Sequence, residues 1–243
     1  MINQLTPYLL VNKLYYKNFT VYKNLYFLYK RIKEREEVRF LNRNIKPEMN
    51  IIDVGANIGF YSLILSDLIG SKGNVYSFEP EKNNFNHLKK ICRNRKNIHC
   101  FNLAVGDMDK TINLYVSKEL NVDHRTFDNN EKRKITRVKC ISIDKFFERK
   151  HIDFIKVDTQ GFEFNVLKGM LKTLKLSKRI QILSELSVYD MKKAGVNAKK
   201  YLDLIKSLGF KITYLEKDYK KRLYGNNQSD LSYVNIVASK KIN

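Results

Sequence analysis

The run Ile51-Ile52-Asp53-Val54-Gly55-Ala56-Asn57-Ile58-Gly59 is an apolar strand that ends in an acid and enters a turn bracketed by two glycines. Further on, Val75-Tyr76-Ser77-Phe78-Glu79-Pro80 places a second acid at the end of a second strand. Glycine accepts positive φ and lets backbone approach a ligand closely, and a carboxylate at Glu79 can accept from both hydroxyls of a ribose. The chemistry is that of a nucleoside-bearing cofactor. The pattern is not G-x-G-x-x-G, because Asn57 replaces the middle glycine and only three residues separate Gly55 from Gly59. A pyrophosphate wants the tighter glycine spacing and an anion-receptive helix start, and Asp53 would repel it. The same acid can engage the ammonium of a methionine moiety. S-adenosylmethionine, which carries no phosphate, is therefore favoured over NAD. Its expected contacts are Asp53, Gly55, Asn57, Gly59 and Glu79, with the N–H groups at the start of the following helix facing it. Glu79→Ala is expected to weaken cofactor affinity with little effect on folding.

Positioning these residues requires strands whose carboxyl ends converge. Short β-branched runs predict strands at 51–54, 74–78, 98–104, 154–157, 180–185, 211–215 and 232–238, with helices at 60–68, 82–93, 164–174 and 198–208. Strands alternating with helices imply an α/β fold with a seven-stranded, mostly parallel sheet covered on both faces. The last two strands can form an antiparallel edge pair. Two further strand-like stretches, 111–116 and 135–141, read as an inserted β-hairpin whose loop carries Asp123-His124-Arg125-Thr126. Ligands of such sheets gather outside the carboxyl ends, where Asp53, Glu79, Asp158 and Glu185 all fall. Four acids together are costly unless cations or donors answer them, so their convergence points to function.

A chain of 243 residues suits one principal α/β domain, and the odd set Cys92, Cys100 and Cys140 suggests neither a disulfide framework nor a zinc site. Free thiols in a cytoplasmic setting are the plain reading. The formal net charge is +21. The lysines scatter over most predicted helices rather than forming a stripe, and arginine, the residue suited to bidentate phosphate contacts, is the scarcer cation. A nucleic-acid partner is for that reason not favoured. Residues 1–46 differ from the rest: ten Lys or Arg stand against three Glu, among eight Tyr and Phe from Tyr8 to Tyr29. Their apolar runs are too interrupted for a signal peptide or a membrane span. Two amphipathic helices forming a cap over the cofactor pocket of a domain at 47–243 are expected. The alternative use of that segment is peripheral contact with anionic lipid on the inner face of a membrane.

With these residues in view, the chain resembles the FkbM family of S-adenosylmethionine-dependent methyltransferases. The likeness spans Glu37 to Lys240 and rests on Asp53-Val54-Gly55-Ala56-Asn57-Ile58-Gly59, Phe78-Glu79-Pro80, Ala104-Val105-Gly106-Asp107, Ile155-Lys156-Val157-Asp158-Thr159-Gln160-Gly161, Glu163 and Leu167-Lys168-Gly169. It departs from common members at Gln160, where many carry Glu, and at Ser187-Val188. The resemblance implies a Rossmann-like class I methyltransferase fold and methyl transfer to a hydroxyl oxygen of a sugar, glycan or related metabolite. It also implies that Ala104 and Asp107 edge the adenine.

Methyl transfer from a sulfonium is an in-line displacement, and an aliphatic hydroxyl needs a base or a bound metal to attack. Asp158 and Glu185 are the candidates for base or for ligands of Mg²⁺ or another divalent cation. His124, on the overhanging loop, is the other base candidate. Lys156 is a charge in an otherwise apolar strand and needs a partner, expected to be Asp158 or Glu185. Two rivals share the fold: an RNA ribose 2′-O-methyltransferase, and a scaffold that binds the cofactor without turnover.

Overall fold

In the structure, a computed structural model describing residues 13–117, 120–128, 132–148, 150–224 and 233–240, the sheet is built outward from β1 (Asn50–Val54). Both faces of β1 are buried, and such a strand is stable only between covering layers. The seven-stranded sheet has the order β3 (Ile98–Phe101), β2 (Asn74–Phe78), β1, β7 (Phe154–Val157), β8 (Gln181–Ser187), β10 (Tyr233–Lys240) and β9 (Phe210–Tyr214). The first five strands in that order are mutually parallel, while β10 runs antiparallel to both of its neighbours. Ser232, the first residue expected in the last strand, lies outside the described residues, as do residues 1–12 with Tyr8.

Period-two alternation divides the core. Ile51, Val75, Phe154, Leu183 and Val237 face one layer, formed by α2 (Arg35–Asn44), α3 (Phe60–Ile69) and α4 (Lys82–Cys92). Ile52, Phe78, Ile155, Ile182 and Ile236 face the other, which receives residues of α5 (Ile143–Phe146), α6 (Glu163–Lys168), α7 (Leu171–Leu176), α8 (Val188–Lys193), α9 (Ala198–Ser207) and α10 (Tyr219–Tyr224). Leu41, Leu65, Leu88 and Ile205, all fully buried, hold the layers on, each contributing roughly 1.5–3 kcal/mol of transfer free energy. A second sheet of three strands joins β4 (Ala104–Val105) to the hairpin of β5 (Lys110–Val116) and β6 (Lys134–Ile141).

Before the sheet, α1 (Phe19–Lys33) begins at Asn18, whose side chain accepts from the Val21 N–H. Its inward tyrosines, Tyr22 and Tyr26, pack with Tyr15 on Ile58 and Val122.

The expected strand 98–104 divides because Asn102 donates its amide to the carbonyls of Glu79 and Pro80, both at 2.9 Å, and turns the chain out of the main sheet into β4. The expected helix 164–174 divides at Gly169. A Cβ there would lie 1.7 Å from the Gly106 carbonyl oxygen, so close approach of two backbones fixes a glycine where a helix would otherwise continue. Helices α8 and α10 fall in segments whose sequence gave no helical period long enough to read.

Candidate active site

Strand order reverses at β1, with β2 and β3 to one side and β7 and β8 to the other, and the carboxyl ends of β1 and β7 are the switch point of the sheet. They touch: the Asp158 N–H donates to the Val54 carbonyl at 3.1 Å, and a Cβ on Gly55 would fall 1.9 Å from the Asp158 carbonyl oxygen. A cavity of about 270 Å³ opens there.

At one end of the cavity the turn Gly55–Gly59 supplies the wall. Gly55 (φ 78°), Asn57 (φ 50°) and Gly59 (φ 97°) are all left-handed, which glycine and asparagine accept best. Every N–H of the turn has an acceptor within the protein. Gly55 and Ala56 donate to the Phe78 carbonyl, Asn57 to Glu79 Oε2 at 2.9 Å, Ile58 to the Asn57 side chain and Gly59 to the Ala56 carbonyl. These N–H groups therefore do not face the cavity, and the turn offers no nest for a phosphate, in keeping with a cofactor that has none.

Glu79 lines the cavity and is buried, and its Oε1 accepts from the Glu81 N–H at 2.8 Å. Burial pushes its pKa up to about 8 against these two donors. Because Glu79 answers two backbone donors, Glu79→Ala would disturb folding as well as cofactor affinity, contrary to expectation. Gly55, Asn57 and Ala104 also line this end.

Three expected contacts sit elsewhere. Asp53 is fully buried beneath the floor, its Oδ2 accepting from the Ser62 hydroxyl at 2.7 Å, and it forms no part of the cavity wall. Burial raises its pKa, and the charge of Lys156, its register partner on β7, counters that rise. Gly59 is a packing glycine: a Cβ there would meet Leu88 Cδ1 at 2.9 Å. Asp107 turns away to Lys110, 2.8 Å, and Lys168, 3.7 Å. A Gly-Asp pair reads alike whether the acid serves a ligand or a turn.

At the other end Lys156, Asp158, Gln160 and Glu185 meet. Lys156 Nζ donates to Asp158 Oδ2 at 3.0 Å and lies 4.5 Å above the Tyr61 ring. The expected tether is thus to Asp158. Gln160, held at φ 51°, donates its amide to Asp158 Oδ1 at 3.1 Å and to Glu185 Oε1 at 3.2 Å. The turn that presents it is stapled by Glu163, whose Oε1 accepts from the N–H groups of Thr159 and Gly161. The two carboxylates consequently have opposite character. Burial would raise Asp158, but Lys156, Lys30 and the two hydrogen bonds hold it below the ordinary carboxylate range. Burial and the charges of Asp158 and Glu163 push Glu185 well above that range.

Both Asp158 oxygens are engaged by nitrogen donors, and Gln160 occupies the space between the acids. This donor set does not fit the expected divalent cation at Asp158 and Glu185, since ammonium and amide N–H already supply what a cation would. Among the described residues no group of three or more His, Cys, Asp or Glu side chains is placed for metal binding.

His124 lines the cavity, but its Nδ1 accepts from the Ser117 N–H at 3.2 Å. The neutral ring then carries its proton on Nε2 and offers a donor, and burial lowers its pKa further. It is not arranged as a base.

Several wall residues escaped the sequence reading. From α1, Tyr26, Tyr29, Lys30 and Lys33 reach the cavity, joined by Glu34 and Tyr233. Lys30 pairs with Glu34, which also accepts from the Tyr61 hydroxyl. The signal available was the tyrosines recurring at helical spacing with the Lys30/Glu34 pair four residues apart. Asn121 on the hairpin loop was unforeseen. Its carbonyl accepts from the side chains of Asn57 (3.1 Å) and Asn84 (2.8 Å), and its Oδ1 accepts from the Tyr22 hydroxyl at 2.7 Å.

Comparison with known proteins places the chain in a family and a fold. The hexuronic acid methyltransferase AglP of Haloferax volcanii is 27% identical over 202 residues, 81% of this chain and 78% of that protein. The crystal structure of an FkbM methyltransferase from Methylobacillus flagellatus superposes with a TM-score of 0.51 at 16% identity, over 79% of this chain but 43% of that one. An S-adenosylmethionine-dependent O-methyltransferase from Thermotoga maritima gives a TM-score of 0.51 at 14% identity, over 86% of this chain and 66% of the other. At these identities the two structures establish the shared Rossmann-like fold alone. The model of the methyltransferase FkbM domain matches residues 53–212, the segment that carries the turn, Glu79, Asp158 and Glu185, and this chain belongs to the FkbM family of S-adenosylmethionine-dependent methyltransferases.

Proposed function

We propose that the protein moves a methyl group from S-adenosylmethionine to a hydroxyl oxygen of a saccharide, with Glu185 as the general base. The observation that carries this reading is the pairing of unlike carboxylates in one cavity with Glu79. S-adenosylmethionine supplies an electrophilic methyl, so the protein needs only to position an oxygen in line and remove its proton. Asp158 is a weak base whose oxygens are already committed. Among the described residues Glu185 accepts from Gln160 alone, through one oxygen, and its raised pKa makes its ionised form the stronger base. Gln160 and Lys156 keep the pair oriented. Glu79 and Asn57 are assigned to the nucleoside, with Ala104 beside the adenine.

Tyr26, Tyr29 and Tyr233 with Lys30 and Lys33 give the remaining wall an aromatic and cationic lining, suited to the apolar face and polar rim of a sugar, including an acidic one. The hexuronic acid named for the Haloferax relative is a sensible first acceptor. The test is transfer of isotopically labelled methyl to free and glycosidically linked hexuronic acids, with the linkage read by mass spectrometry. An alkali-stable methyl ether is expected. A base-labile methyl ester, or label found only in RNA, would overturn the hydroxyl reading.

A further inference from the structure

Helix α1 has two distinct faces. Tyr22 and Tyr26 point to the aromatic cluster and the cavity. On the other side Val21, Leu25, Leu28 and Ile32 recur at i, i+4, i+7 and i+11, a spacing that aligns side chains in one narrow stripe. All four are exposed, by 42, 44, 59 and 68% respectively, and Tyr16 on the preceding helical turn by 68%. The outer face of a solvated helix is ordinarily polar, and a contiguous aliphatic stripe marks a contact surface. The helix contains no acidic residue, and exposed Lys17 and Arg31 lie near the stripe.

We propose that this face docks on an anionic lipid surface, the aliphatic side chains entering the acyl boundary and Lys17 and Arg31 meeting the headgroups. Charge complementarity selects lipid over a second copy of the chain: a chain with a formal net charge of +21 repels its own copy and is drawn to a negative surface. The helix lies along the interface and does not cross it, and no helix among the described residues is long and apolar enough to span a membrane. One helix is about 10 Å thick, so docking by the outer face holds the cavity on the inner face beside the lipid. Resting on the saccharide reading above, the acceptor is then a saccharide borne on a lipid rather than a free sugar.

Co-sedimentation of the full chain with vesicles of phosphatidylglycerol and phosphatidylcholine, against phosphatidylcholine alone, tests the surface. The anionic vesicles are expected to carry the protein down at low salt and the neutral ones far less. Leu28→Gln with Ile32→Gln should lower the vesicle partition coefficient about tenfold or more, with the far-ultraviolet spectrum and thermal midpoint unchanged. Arg31→Gln should weaken binding more at low than at high ionic strength. No sedimentation with anionic vesicles, or equal sedimentation of wild type and the double glutamine variant, overturns the proposal. So does a wild-type dimer that the double variant splits, since the stripe would then join two copies. Sedimentation needs no acceptor, so its failure leaves saccharide methylation standing. Equal kcat/KM for a free and a lipid-linked saccharide would remove the acceptor assignment while leaving docking intact.

Discussion

The two ends of the cavity are built on different principles. The end assigned to the cofactor is backbone: a turn with three left-handed residues whose N–H groups are all internally bonded, pressed against the carbonyl of Asp158 so closely that no Cβ fits at Gly55. The reactive end is side chain: two acids, a lysine and an amide from β7 and β8, closed over by residues of α1. A wall of backbone fixes one shape and tolerates little change. A wall of side chains sets protonation and acceptor shape, and can be retuned one residue at a time.

The sharpest break of that contrast is Gly55→Ala. The added methyl meets the Asp158 carbonyl and the residue is held at positive φ, so a loss of more than about 3 kcal/mol of stability is expected, with cofactor binding. Chemical denaturation and calorimetry check this, and a stable variant that binds normally would refute the rigidity of that end. Next is Glu185→Gln, which keeps shape and removes the proposed base. It should lower kcat by about 10²–10⁴ while leaving the cofactor dissociation constant near wild type. The same residue fixes the pH profile. With Glu185 in the proposed role of base, activity needs its ionised form, and since its pKa is raised by burial and by Asp158 and Glu163, kcat/KM should climb with pH above the ordinary carboxylate range. The variant should lose that acid limb, and a limb retained in it assigns the titration elsewhere.

Smaller is Glu79→Gln. An amide can accept only one of the two backbone N–H groups that Glu79 now answers, and the cofactor dissociation constant should rise roughly 10–100-fold. Turnover at saturation should change little, and an unchanged dissociation constant would count against the ribose assignment. The mildest is Tyr22→Phe, which deletes the hydroxyl donating to Asn121 and should cost about 1 kcal/mol by thermal unfolding.

The same division explains what the sequence made legible. β1, the turn and α3 are contiguous, so strand alternation and paired glycines could be read directly, and Glu79 follows at the end of the neighbouring strand. Even there, spacing could not separate ligand-facing residues from packing ones. Gly59 carries the same turn signal as Gly55, and Asp107 lies in one short block with Ala104; only the fold shows that Gly59 packs against Leu88 and that Asp107 pairs with Lys110. Asp53 lies beneath the floor of the cavity, because a strand-end acid can rise into a cleft or sink beneath it, and its hydrogen bond from Ser62 depends on which face of β1 it takes.

At the reactive end the decisive contacts join distant segments. Glu34 meets Tyr61, and Glu37 accepts from Asn235 across 198 residues, pairings that leave no periodic trace. Gln160 stood out in the sequence only as a departure. Its meaning appears once β7 and β8 lie side by side and one amide spans both acids.

Asn121 ties these observations together. One residue receives hydrogen bonds from Asn57 in the turn, from Asn84 in α4 and from Tyr22 in α1, so segments serving the donor and segments serving the acceptor share a single knot. Whichever ligand orders that knot lowers the cost of ordering it for the other. Donor and acceptor should therefore bind synergistically and, by thermodynamic reciprocity, by the same factor in either order. Titration calorimetry with S-adenosylhomocysteine in the presence and absence of the sugar measures that factor, which should shrink toward one in Tyr22→Phe, where the bond from α1 is cut and the two bonds to the Asn121 carbonyl remain.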